Sequence, residues 1–91
     1  MIIITRHASM VEFLQKNGIV GEVISHVDNI SQIEGKDVFG ILPINMAANV
    51  NSITTIGFTN LPQEMRGKEL TLEQMEEFGA YLETFKVTKC S

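Results

Sequence analysis

Cysteine occurs once in the 91 residues, as Cys90; tryptophan is absent, and there are only two prolines and two histidines. A lone thiol excludes an intrachain disulfide and a cysteine zinc cluster, and it fits a reducing cytoplasm. Positive charge is scarce too. Seven Lys and Arg against eleven Asp and Glu leave a net charge of -4, which argues against a sequence-independent hold on long nucleic acid or an anionic membrane. A small anionic ligand fits this balance if the few cations converge. Long hydrophobic runs are missing as well: Met1-Ile2-Ile3-Ile4 gives way at once to Thr5, Arg6 and His7, too short for a secretory leader or a membrane span. There is no Gly-rich dinucleotide fingerprint and no phosphate-binding Walker loop, and the His and Cys spacings make no metal site. The chemistry to expect is free of metal and cofactor.

What is present is an alternation of apolar runs with periodic segments, uninterrupted by any repeat or low-complexity linker. It reads as one α/β domain over residues 1–91, a small Rossmann-like fold with about four mainly parallel strands and three helices. Strands are expected at residues 2–5, 21–25, 38–42 and 53–58. Ser9 and Glu12 have the spacing of a capping box for the first helix, which Asn17-Gly18 would stop. Pro43 suits the first position of a second helix carrying Asn45, Met46, Ala47 and Ala48. Thr71 and Gln74 make another capping box, and Leu72, Met75, Phe78, Leu82 and Phe85 share one face of a third helix. Glu73, Glu76, Glu77 and Glu83 then read as its solvated face. Between the fourth strand and this helix runs a loop of about a dozen residues, 59–70, a length that in small domains usually signals function or disorder.

In a parallel sheet, ligands bind beyond the carboxyl ends of the strands. Those ends here are Thr5-Arg6-His7, Ser25-His26-Val27-Asp28, Leu42-Pro43-Ile44-Asn45 and the 59–70 loop, and they hold both histidines and both arginines of the chain. Arg6 supplies a permanent guanidinium that matches phosphate geometry, and His7 an imidazole, the side chain that titrates near neutral pH. His26 and Asp28, two apart, suit an orienting His–carboxylate pair, or a polar turn with Asp28 capping the residues after it. Asn45 falls where helix amides would face an anion, or else simply caps and packs. Arg66-Gly67-Lys68 sets two cations around a flexible glycine that could close over a phosphate, or that merely offsets Glu64 and Glu69. These residues suit metal-independent RNA cleavage, in which the substrate's 2′-OH attacks the adjacent phosphorus, a base takes its proton, cations hold the developing charge and an acid protonates the leaving 5′-oxygen.

Four strings lie in register across nearly the whole chain: Ile4-Thr5-Arg6-His7 before a Val-Glu-Phe-Leu helix, Ile24-Ser25-His26-Val27-Asp28, Gly40-Ile41-Leu42-Pro43-Ile44-Asn45-Met46-Ala47-Ala48, and Arg66-Gly67-Lys68-Glu69-Leu70. Together they resemble the Csx-sixteen family of small type III CRISPR-associated proteins. The resemblance implies a ring nuclease that binds and linearises cyclic tetra-adenylate, the second messenger of type III CRISPR defence. It implies that Arg6, His7, Asn45, Arg66 and Lys68 face the ligand. Thr5, Pro43, His26, Asp28 and Gly67, on the same strand ends and loop, are expected to contact it too. The stretch Gly57-Phe58-Thr59-Asn60 before Leu61-Pro62 departs from the family pattern, which often carries a histidine and an acidic residue there. A messenger ring can itself be two-fold symmetric, so a homodimer is expected to use the same residues twice around it. The alternative is a non-catalytic sponge for the same ring, or a CRISPR interaction module, since binding needs charge complementarity but no general base.

Overall fold

The computed structural model describes residues 1–91. Its five strands are β1 (Ile2–Ile4), β2 (Glu22–Ile24), β3 (Asp37–Phe39), β4 (Ser52–Phe58) and β5 (Ala80–Phe85), and its helices are α1 (Ala8–Lys16), α2 (Ile44–Ala47) and α3 (Leu72–Glu77). The strands form one sheet in the order β2-β1-β3-β4-β5. β1 is parallel to β2 and to β3, and β3 to β4, while β5 returns antiparallel along β4. This is the small Rossmann-like α/β architecture expected from the sequence, with one antiparallel edge strand added. No helix is long and apolar enough to cross a membrane.

The sheet is covered on both faces, and the period of two along each strand assigns the residues. Ile2 and Val38 point into one cluster with Ile33, Ala47, Val50 and Ile53. Their neighbours Ile3 and Phe39 point into the opposite one with Phe13 and Leu14 of α1, Leu70, and Met75 of α3. Burying strands from both sides is why the first run is apolar without alternation. Leu14 and Ile33 are wholly enclosed; full burial of such a side chain is worth about 1.5–3 kcal/mol.

Several local expectations shift. Ser9 does not cap α1: the N-cap is His7, whose side chain makes no cap bond, and Ser9 sits one turn-position inside the helix. Its hydroxyl instead donates to the Leu70 carbonyl at 2.7 Å. Asn17 and Gly18, the latter at φ +79°, end α1 as expected. Asp28 is not a cap either; Asn29 caps the 3₁₀ turn Ile30–Gln32 in a reciprocal box with Gln32. Pro43 is the N-cap of α2 rather than its first residue, and α2 is a single four-residue turn.

The largest correction concerns the third helix. Thr71 and Gln74 form their capping box, but α3 ends at Glu77. Gly79 takes a left-handed φ of +72°, the conformation that closes helices cheaply only at glycine, and the chain reverses into β5. Leu82 and Phe85 therefore belong to a strand, pairing with Ile56 and Ile53 of β4, and Glu83 lies on the sheet, not on a helix. The 59–70 loop is ordered by a second 3₁₀ turn, Gln63–Met65.

Candidate functional site

From β1 the chain runs outward to β2 on one side and to β3 on the other. Their loops diverge at the β1/β3 boundary, leaving the crevice where open sheets of this order bind ligands. A cleft of about 290 Å³ occupies it, lined by Ile4, Thr5 and His7 on one side and Phe39, Gly40 and Ile41 on the other. Gly40 permits the close approach. Its φ is +148°, and a Cβ there would stand 3.0 Å from the Cβ of Ile4.

On the other flank of β1, a more polar cleft of about 440 Å³ is lined by Thr5, Arg6, His7 and Ser25, among others. A third, of about 110 Å³, holds Ser9, Lys68 and Glu69, again beside His7. His7 thus borders three adjoining clefts. The local fold explains why. Its backbone N–H donates to Thr5 Oγ1 at 3.2 Å, and its carbonyl accepts from Met10 and Val11 in the first turn of α1, so the backbone is fixed and the ring is left for other work.

That ring is oriented. His7 Nδ1 lies 2.5 Å from Glu69 Oε1. A carboxylate can only accept, so Nδ1 carries the hydrogen, and in the neutral ring Nε2 keeps its lone pair. Both side chains are half-exposed or more, where an ion pair is worth only about 0–1 kcal/mol; the contact positions the imidazole more than it stabilises the fold. A second pair forms at the end of β2, where His26 Nε2 meets Asp28 Oδ1 at 2.7 Å.

The structure brings Thr5, Arg6, His7 and Lys68 together around these clefts. His26 and Asp28 stand next to them through Ser25. Arg6, Arg66 and Lys68 have no ion-pair partner; the only salt bridges are His7–Glu69, His26–Asp28 and Lys16–Glu76. Arg66 closes the 3₁₀ turn of the long loop, with Gly67 beyond it at φ +79°, and borders none of the clefts. Asn45 and Pro43 are not gathered at His7. Asn45 lines a separate cleft with Ile44, Asn49, Thr88 and Lys89, and its carbonyl accepts from the Asn49 side chain at 2.8 Å. The one-turn helix there is too short to build the aligned dipole that an anion site at its start requires.

Glu69 and Ser25 are the functional candidates that sequence reasoning passed over. Glu69 lies 62 residues from His7, a separation no local pattern reveals. Ser25 had only its place beside His26 to mark it.

The family model described as "Putative CRISPR-associated protein (Cas_VVA1548)" matches residues 2–88. The chain belongs to that family. The match takes in every strand and helix and every residue lining the three clefts beside His7. No curated protein and no solved structure is significantly similar to this CRISPR-associated chain.

Proposed function

We propose that this protein is a ring nuclease of the Csx-sixteen type, which binds cyclic tetra-adenylate at the carboxyl edge of the sheet and linearises it without a metal ion. The observation that carries the reading is His7: an imidazole held by Glu69 at the meeting of three clefts, with Arg6 and Lys68 beside it and free of ion-pair partners. In this reading His7 Nε2 takes the proton of the substrate 2′-OH as it attacks the adjacent phosphorus. Arg6, Lys68 and Arg66 bind the phosphates and hold the charge that develops on them. Membership of a CRISPR-associated family supports a nucleotide messenger of that defence as the substrate.

The ring is larger than any one of these clefts, and a two-fold dimer would supply a second set. An apolar surface adjoins the site: Ile41 is 92% exposed, Ile44 77% and Phe85 47%. Gly40, Ile41 and Thr55 border both the cleft beside His7 and the apolar groove that reaches Phe85 and Val87. An uncharged apolar patch is self-complementary, as a two-fold interface must be, so we take this surface as the dimer contact. Light scattering with and without ring tests it, and monomer under both conditions removes the dimeric site.

The deciding experiment incubates the protein with cyclic tetra-adenylate in EDTA and separates the products by chromatography. Linear fragments are expected. Intact ring co-eluting with the protein would make it a sponge, and intact ring eluting alone would remove the ligand from the proposal.

A further inference from the structure

The turn after β2 carries a hydrogen-bonded array that the site around His7 does not use. Asp28 Oδ1 lies 2.7 Å from His26 Nε2, and the Ser25 hydroxyl lies 3.0 Å from His26 Nδ1. The Asp28 carboxylate only accepts, so Nε2 carries a hydrogen, and in the neutral ring Nδ1 accepts from Ser25 Oγ. When the ring is protonated, that second bond reverses. Nδ1–H then donates to Ser25 Oγ, and the hydroxyl hydrogen is released to another acceptor.

Ser25 lines the 440 Å³ cleft together with Thr5, Arg6 and His7, whereas His26 stands behind it and does not line the cleft. The titratable groups bordering that cleft are Arg6 and His7, and Asp28 is the one charged partner of His26. All three members of the array are exposed, where a carboxylate–imidazole contact adds little to stability. Packing does not account for it. A cleft with an oriented imidazole on one wall and a hydroxyl backed by a second oriented imidazole on another has the two groups that 2′-OH attack on a phosphodiester needs: a base for the nucleophile and an acid for the leaving group.

We propose that Ser25 is the general acid of the ring-opening reaction, resupplied with its proton by His26, which Asp28 positions. The inference rests on the ring-opening reading given above. In the step, the 2′-oxygen forms its bond to phosphorus while the bond from phosphorus to the 5′-oxygen breaks. The 2′-hydroxyl proton passes to His7 Nε2, the Ser25 hydroxyl proton passes to the leaving 5′-oxygen, and His26 Nδ1–H passes to Ser25 Oγ. The products are a 2′,3′-cyclic phosphate and a 5′-hydroxyl. His7 ends protonated and His26 neutral, and exchange with water restores both.

The test compares cyclic tetra-adenylate with the same ring carrying sulfur in place of the bridging 5′-oxygen at all four linkages, under single turnover. A thiolate departs without a proton, so the sulfur ring has no need of a general acid. Ser25→Ala and His26→Gln are expected to slow the oxygen ring by about 100-fold, within the usual range for acid–base groups, and to open the sulfur ring at the wild-type rate. Ser25→Thr, which keeps the hydroxyl, is expected to retain most activity on both. His7→Ala should be slow on both. Wild-type cleavage of the oxygen ring by Ser25→Ala would overturn the proposal, and so would equal slowing on both rings. If the wild-type protein opens neither ring, the ring-opening reading itself fails, and the relay with it.

Discussion

Ser9 donates its hydroxyl to the carbonyl of Leu70 at 2.7 Å, and this bond stands between α1 and the long loop immediately beside the contact of His7 with Glu69 at 2.5 Å. The two bonds join the same two segments two residues apart on one side and one residue apart on the other. Ser9 is the more sheltered of the pair, and it sets the loop at the height where Glu69 meets the imidazole. Ser9→Ala removes the tether and leaves the Leu70 carbonyl without this partner. The expected cost is about 1 kcal/mol in urea unfolding, with faster hydrogen exchange in residues 66–70 and ring cleavage slowed several-fold. Unchanged exchange in that segment would show that the loop is held by its packing of Leu70 alone.

The residues proposed for proton transfer and those proposed for phosphate binding should separate in kinetics. His7→Ala is expected to keep most affinity for the ring and to lose about 100- to 10,000-fold in single-turnover cleavage. Glu69→Gln keeps a side chain of the same shape but no charge to favour the right tautomer, so a smaller loss in rate, with affinity intact, is expected. Arg66→Ala should instead weaken binding, because its guanidinium has no partner within the protein and the turn it closes ends at the flexible Gly67. Cleavage by His7→Ala at the wild-type rate would move the mechanism to substrate positioning for in-line attack, with the cations at its centre.

Much of this arrangement is legible in the sequence because it depends on local signals. Ile2, Ile3 and Ile4 announce a doubly covered strand, Asn17-Gly18 a helix end, and Thr71 with Gln74 a helix start. Once the strands are parallel, their carboxyl ends, and with them Thr5, Arg6, His7 and His26, fall on one edge by topology alone. Helix three misleads because Leu82 and Phe85 fit a helical spacing from Leu72 as well as they fit a strand; Gly79, whose left-handed backbone breaks that periodicity, is the residue that decides. Ser9 satisfies the capping spacing, in which its oxygen would accept from a backbone N–H, yet it lies inside α1 and its hydroxyl donates to the distant Leu70 carbonyl instead. Glu69 as the partner of His7, and Asn45 as a residue of a different cleft, depend on how distant segments pack, which no spacing encodes.

Asp37 links acid stability to the β3/β4 pairing. Its Oδ1 accepts from the Ser52 hydroxyl and from the Asn51 amide, each at 2.7 Å, at the position where Asp37 pairs with Ser52 across the parallel strands. These donors, Ser52 foremost and then Asn51, hold the carboxyl below its ordinary value, because they favour the charged form. A depressed folded pKa contributes stability that is complete above the unfolded value near pH 4 and is lost as pH falls through the folded value. Asp37→Asn is therefore expected to be less stable than wild type at pH 7 in thermal melts, with the gap closing below about pH 4. A gap that persists unchanged into acid would assign the effect to shape and not to charge.

Gly40 offers a test of the crevice itself. Its φ of +148° belongs to backbone that side chains rarely adopt, and a Cβ would stand 3.0 Å from Ile4 Cβ and 3.2 Å from the Ile4 carbonyl oxygen. Residues forced into such conformations cost about 1–3 kcal/mol, and at this position the added methyl also wedges between β1 and β3, on the wall shared with Ile4, Thr5 and His7. Gly35 is the control: at φ +72° it carries a conformational cost of its own, but nothing lies within 4 Å of an added Cβ, and it borders no cleft. Gly35→Ala is expected to lower stability by about 1–2 kcal/mol and leave ring affinity alone. Gly40→Ala should lower stability by more in the same urea titration and weaken the ring as well, since it alters the spacing of the strand ends that carry His7. If the two variants lose stability equally and neither affects the ring, the β1/β3 crevice is not where the ligand sits, and the polar cleft on the β2 side of His7 must hold it alone.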